Sequence, residues 1–186
     1  MILILDLCYR KDSLSQEEFV RPIEQIVQEC GVSFQTCHYR EADPDPSNTE
    51  GVILCGTALQ DDGYLQHLDA FAWLRSWDLP VLGICAGMQV QSRVLGGGLV
   101  EGEEIGMTGI RVIRDDSLLQ GIREFPAYSL HRHIVIPPPS FEVLAVSDTC
   151  LQVIRHIDHP FYGVLFHPEV RNEWVVRRFL TLPEKR

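Results

Sequence analysis

Apolar residues in the first half of this chain come in short unbroken runs. Residues 2–7 read as a buried strand, continuous rather than alternating, the pattern of a parallel sheet, and 32–39, 51–56 and 81–85 read as the second, third and fourth strands. Between these runs the spacing becomes helical. Phe19, Ile23, Ile26, Val27 and Cys30 share one helical face, and Gly31 suits the C-terminal cap. Ser15 with Glu18 predicts a capping box, and Pro22 marks either the start of the main helix or a kink in it. Residues 41–50 form a polar loop. Leu65, Leu68 and Ala72 mark a helix that ends near Trp77, and residues 86–95 predict another directly after the fourth strand.

The alternation stops at Gly96-Gly97-Gly98. Strand candidates then follow at 105–114, 127–130, 142–146, 151–156 and 161–166, with a last helix near 172–182. Strand alternating with helix predicts an α/β fold. It is doubly wound, with a mostly parallel central sheet, helices on both faces and an antiparallel extension. A length of 186 residues suits one core and is short for two, so a single domain over 1–186 is expected.

Composition narrows the function classes. Hydrophobic residues make up 45% and charged residues 23%, an ordinary globular balance. The net charge of -10 argues against non-specific binding to nucleic acid or an anionic membrane, and is compatible with a basic protein partner. No apolar run approaches the ~18 residues of a membrane span. The apolar start lacks a charged leader and a cleavage site, so it reads as a first strand. None of the six cysteines forms a C-x-x-C pair, which argues against a zinc ribbon or a thioredoxin-like motif. Cys8, Cys30, Cys37 and Cys55 read as small apolar residues. Free thiols without a signal point to a cytoplasmic protein. Neither a metal nor a cofactor is expected.

The chemistry concentrates in two segments. Val81-Leu82-Gly83-Ile84-Cys85-Ala86-Gly87-Met88-Gln89 ends an apolar strand in a cysteine between two glycines, at the mouth of a helix. That is the layout of a nucleophile elbow. A helix N-terminus also favours negative charge and so activates a thiol. Far downstream, Gly163-Val164-Leu165-Phe166-His167-Pro168-Glu169 delivers a histidine at a strand end with a carboxylate two residues on. Cys85, His167 and Glu169 are the parts of a nucleophile–base–orienter triad. Both segments fall at carboxyl ends of strands, where open α/β sheets form their sites.

The G-x-C-x-G elbow followed by glutamine, together with the late His-Pro-Glu, resembles the class I, triad-type glutamine amidotransferases. Gly96 to Gly106 and Ser140-Phe141-Glu142-Val143-Leu144-Ala145 extend the resemblance over most of the chain. The layout is similar to the free-standing glutaminase subunits of GMP synthases. The resemblance implies a flavodoxin-like amidotransferase fold. It also implies hydrolysis of glutamine through a γ-glutamyl thioester on Cys85, with ammonia passed to a synthase partner. It implies an oxyanion hole from Ala86 N–H and the Gly56–Thr57 loop, where relatives often place a glycine at position 57. Gln89 would hold the substrate, and Ser129 and Leu130 would bind its amino-acid end. A self-sufficient γ-glutamyl peptide hydrolase, or a non-catalytic regulatory module on this fold, are the alternatives.

Overall fold

The computed structural model describes residues 1–182. One nine-stranded sheet runs through them, in the order β2-β1-β3-β4-β9-β8-β7-β5-β6. β1 (Ile2–Asp6), β2 (Phe34–His38), β3 (Gly51–Leu54), β4 (Val81–Ile84) and β9 (Phe161–Val164) pair in parallel. β8 (Leu151–His156), β7 (Phe141–Val146), β5 (Gly98–Val112) and β6 (Glu124–Ile136) add antiparallel pairs beyond β9. The expected α/β architecture with an antiparallel extension is therefore present. β5 and β6 start earlier and run longer than the apolar pattern indicated, because most of this ribbon is only half-buried.

Successive side chains of each parallel strand enter two different cores. Ile2, Ile4, Ile53, Leu82 and Ile84 pack with Ile23, Ile26 and Val27 of α2 (Arg21–Glu29) and Val175, Val176 and Phe179 of α5 (Trp174–Phe179). Leu3, Leu5, Val52, Leu54 and Val81 pack on the opposite face with Met88, Val90 and Val94 of α3 (Ala86–Val94) and with Tyr64, Phe71 and Leu74. Each fully buried aliphatic chain contributes about 1.5–3 kcal/mol, which explains the unbroken apolar runs.

Three local expectations change. The N-cap is Ser13, not Ser15: its Oγ accepts from Gln16 N, and α1 (Leu14–Phe19) follows. Pro22 sits in the first turn of α2, where its missing N–H costs nothing. The expected helix ending near Trp77 is a 3-10 segment, Gly63–Ser76, broken at His67 by non-helical φ/ψ. The last helical stretch is divided into α4 (Pro168–Arg171) and α5.

Candidate active site

β4 ends at Ile84 and α3 begins at Ala86, so Cys85 alone turns the chain. Its φ of 46° and ψ of -100° lie where non-glycine residues rarely go. Such a conformation costs on the order of 1–3 kcal/mol and must be held by its surroundings. Cys85 N donates to Val164 O at 2.8 Å, and Gln89 N donates to Cys85 O at 3.1 Å. Gly87 lets α3 sit directly on β3. A Cβ there would lie 2.3 Å from Leu54 O, and one at Gly83 would lie 2.6 Å from Gly87 C. The glycines of the elbow are thus contacts between backbones.

His167 leaves β9 and is anchored by its N–H to Tyr128 O at 2.8 Å. Its Nδ1 meets Glu169 Oε1 at 2.7 Å, and both side chains are buried. Phe19 packs on the imidazole with ring centroids 5.2 Å apart. Gly56 approaches it from the loop after β3. A Cβ on Gly56 would stand 2.6 Å from His167 Cε1, 3.1 Å from Nδ1 and 3.6 Å from Cys85 Cβ. Burial alone would push the imidazole pKa down. The Glu169 carboxylate and the Cys85 sulfur outweigh it and hold the ring well above its ordinary value.

The thiol and the imidazole flank Gly56, close enough for the sulfur to raise the imidazole's pKa but not aligned in a hydrogen bond of ordinary geometry. Cys85 Sγ faces Leu130 O at 3.6 Å, and His167 Nε2 has no partner among the described residues. A nucleophile and base lying close but not aligned is common without substrate.

A cavity of about 10 Å³ opens beside Cys85, room for about one water. Thr57, Ala86, Gln89 and Leu130 line it, as do Tyr64, Asp62 and Arg132. Ser129 is buried within β6 and does not line it. Thr57 Oγ1 donates to Asp61 Oδ2 at 2.8 Å, which ties down the loop after β3. Arg132 bridges to Asp62 and, at 3.2 Å, to Gln60 Oε1. His133 lies 3.4 Å from Asp62. These contacts draw β6 and the 57–64 loop together over the thiol. A larger hollow of about 430 Å³ lies between residues 78–80 and 158–162, at the starts of β4 and β9 and away from the nucleophile.

Sequence reasoning missed Tyr64. It donates to Gln89 Oε1 at 2.6 Å across 25 positions, a pairing without a local signature. Burial, first, and then Cys85 and Asp62 hold its hydroxyl protonated far above the ordinary range. The remaining histidines find other partners. His38 Nε2 meets Cys8 O at 2.8 Å and His159 meets Asp78 at 3.1 Å. His131 meets Glu104 at 3.2 Å, and burial pushes it down despite that carboxylate, so it stays neutral.

Among the described residues, the one group close enough to share an ion is Glu104, His131 and Cys150. Glu104 is already satisfied there by Ser147 at 2.7 Å and Gln152 at 2.6 Å. Cys8 and Cys55 are buried, as expected, whereas Cys30 and Cys37 are only partly so.

Residues 15–176 match the family model of the glutamine amidotransferase class-I domain. A glutamine-hydrolysing GMP synthase subunit of Pyrococcus abyssi is 34% identical over 149 residues, 73% of this chain and 76% of that protein. The same subunit from Methanothrix thermoacetophila is 40% identical over 103 residues, 53% of this chain and 57% of that one, so this match spans little more than half of the relative. A crystal structure from Thermoplasma acidophilum, of a protein provisionally described as this GMP synthase subunit, superposes with a TM-score of 0.84. It is 25% identical, and the match covers 97% of this chain and 92% of that one. The elbow, the strand order and the matched span agree: the chain belongs to the class-I glutamine amidotransferase family.

Proposed function

We propose that this enzyme hydrolyses the side-chain amide of glutamine and supplies the ammonia to a synthase, with GMP synthesis as the favoured destination. The observation that carries the chemistry is convergence: Gly56 is flanked by a cysteine on a strained elbow and by a buried imidazole bonded to Glu169. The relatives named as glutamine-hydrolysing GMP synthase subunits support the destination.

In the reaction, Cys85 Sγ attacks the amide carbon after passing its proton to His167 Nε2. The Sγ–C bond forms and the carbonyl oxygen becomes an oxyanion, facing Ala86 N–H and Thr57 N–H. Collapse breaks the C–N bond, and His167 returns the proton to the departing ammonia. Water, deprotonated by the same imidazole, then attacks the thioester. Glutamate leaves and the thiol is restored. Glu169 keeps the ring oriented and supports its positive charge.

Alkylation tests the nucleophile. An electrophile shaped like glutamine should label Cys85 ahead of the other five thiols, and excess glutamine should protect it. Burial pushes Cys150 up to about 12, and it also drives Cys8 and Cys55 upward, so these are poor competitors. Peptide mapping that places the label mainly elsewhere would sink the assignment.

Thr57 is the proposed control point. Its β-branched side chain is held by Asp61, which restricts rotation of the 56–57 peptide into the oxyanion hole. One missing oxyanion donor typically costs ~10²–10³ in rate. The lone chain should therefore be a slow glutaminase, and Thr57→Gly should raise its steady-state ammonia release. Rapid turnover by the lone wild type, or an unchanged rate in Thr57→Gly, would instead favour a self-sufficient γ-glutamyl hydrolase.

A further inference from the structure

Gln89 has one amide and two faces to offer: an acceptor oxygen and a donor nitrogen. Tyr64 decides between them. Both residues are buried, at 3% exposure for Tyr64 and 2% for Gln89, and both line the cavity at Cys85. The phenol has a single proton and donates it to Gln89 Oε1 at 2.6 Å. Reversing the amide would set its N–H against the phenol oxygen and leave the phenol proton and the amide oxygen without their mutual bond. Burying polar atoms in that state is costly. In the observed arrangement Gln89 Nε2 has no protein partner among the described residues and is left for the cavity.

We propose that Tyr64 is a positioning residue that locks the Gln89 amide with its NH₂ toward the substrate, so that this subsite selects a hydrogen-bond acceptor on the substrate. Glutamine carries such acceptors in its carboxylate and its amide oxygen. The inference rests on the proposed glutaminase reading and adds which end of Gln89 meets the substrate, and why. Tyr64 reaches the site from the start of the Gly63–Ser76 segment, whereas Gln89 belongs to α3. The lock therefore couples the loop side of the mouth to the elbow helix.

The test measures glutamine binding apart from turnover. Iodoacetamide alkylation of Cys85 is followed at increasing glutamine, and each variant is normalised to its own rate without glutamine. The half-protecting concentration should rise about five- to tenfold in Tyr64→Phe, the cost of one ordinary hydrogen bond. Gln89→Ala should raise it at least as much. Tyr64→Phe in the Gln89→Ala background should then add nothing, because the phenol acts through the amide. Additive costs would mean that Tyr64 shapes the pocket independently, and would overturn the proposal. So would equal protection of wild type and Tyr64→Phe, or tighter binding in the variant. Failure of glutamine to protect even wild type would overturn the glutaminase reading itself, and the lock with it.

Discussion

His167→Ala should abolish glutamine hydrolysis, with a loss on the order of 10³-fold or more. The variant lacks the group that takes the thiol proton and returns one to ammonia. The two other imidazoles that line the cavity are committed elsewhere: His131 is bound to Glu104 and held neutral by burial, and His133 lies against Asp62. Glu169→Gln should cost less, because the base survives. Without the carboxylate, burial dominates and the imidazole pKa falls. The imidazole is then a weaker base for the thiol proton, so Cys85 alkylation should slow at pH 7 as well as turnover. Steady-state ammonia release and alkylation rates, measured on folded variants, check both statements. Near-wild-type release by His167→Ala would refute the assignment.

Gly56→Ala should be nearly as damaging, although glycine to alanine adds only one methyl group. That methyl would stand 2.6 Å from His167 Cε1, well inside van der Waals contact. The imidazole has little room to yield, because Phe19 packs on it and Glu169 holds Nδ1. The ring must shift away from Cys85 or lose its bond to Glu169. Displacement of a catalytic group by about 1 Å can cost 10²-fold in rate. A loss of about that size in kcat is expected, with Cys85 still present and the fold retained. Gly56 does not have a positive φ, so the effect would report the contact and not backbone strain. Wild-type kcat in Gly56→Ala would show that the imidazole sits elsewhere in the working enzyme.

The sequence made the elbow legible because its requirements are local. A nucleophile turn needs a strand, small flanking residues and a helix start within a few positions, and Val81 through Gln89 carry all of them. The parallel strands were legible for a related reason. Ile2 to Leu5 is buried on both faces, and all four of these residues are apolar. The β5–β6 ribbon was legible only in part. One of its faces is largely open, and Ile105 and Met107 sit exposed there, so burial does not mark its ends. The N-cap was misplaced because Ser13 and Ser15 both fit a capping pattern. Only the backbone decides which oxygen meets an N–H, and Ser13 does.

The contacts that tune the site were the least visible. Tyr64 with Gln89, Arg132 with Asp62, and Gly56 with His167 join residues far apart in sequence. Each is an ordinary residue type at its own position. Chain topology, not local pattern, brings them together. The closing of β6 on the 57–64 loop likewise arises from the Arg132–Asp62 ion pair, with His133 beside the same carboxylate.

The most direct measurement of the mechanism is a rapid acid quench of the enzyme during glutamine turnover, followed by intact-protein and peptide mass spectrometry. The mechanism predicts a glutamyl adduct on Cys85, absent from Cys85→Ala, which should release no ammonia from glutamine. Ammonia release that persists in Cys85→Ala, or an adduct carried by another residue, would contradict it.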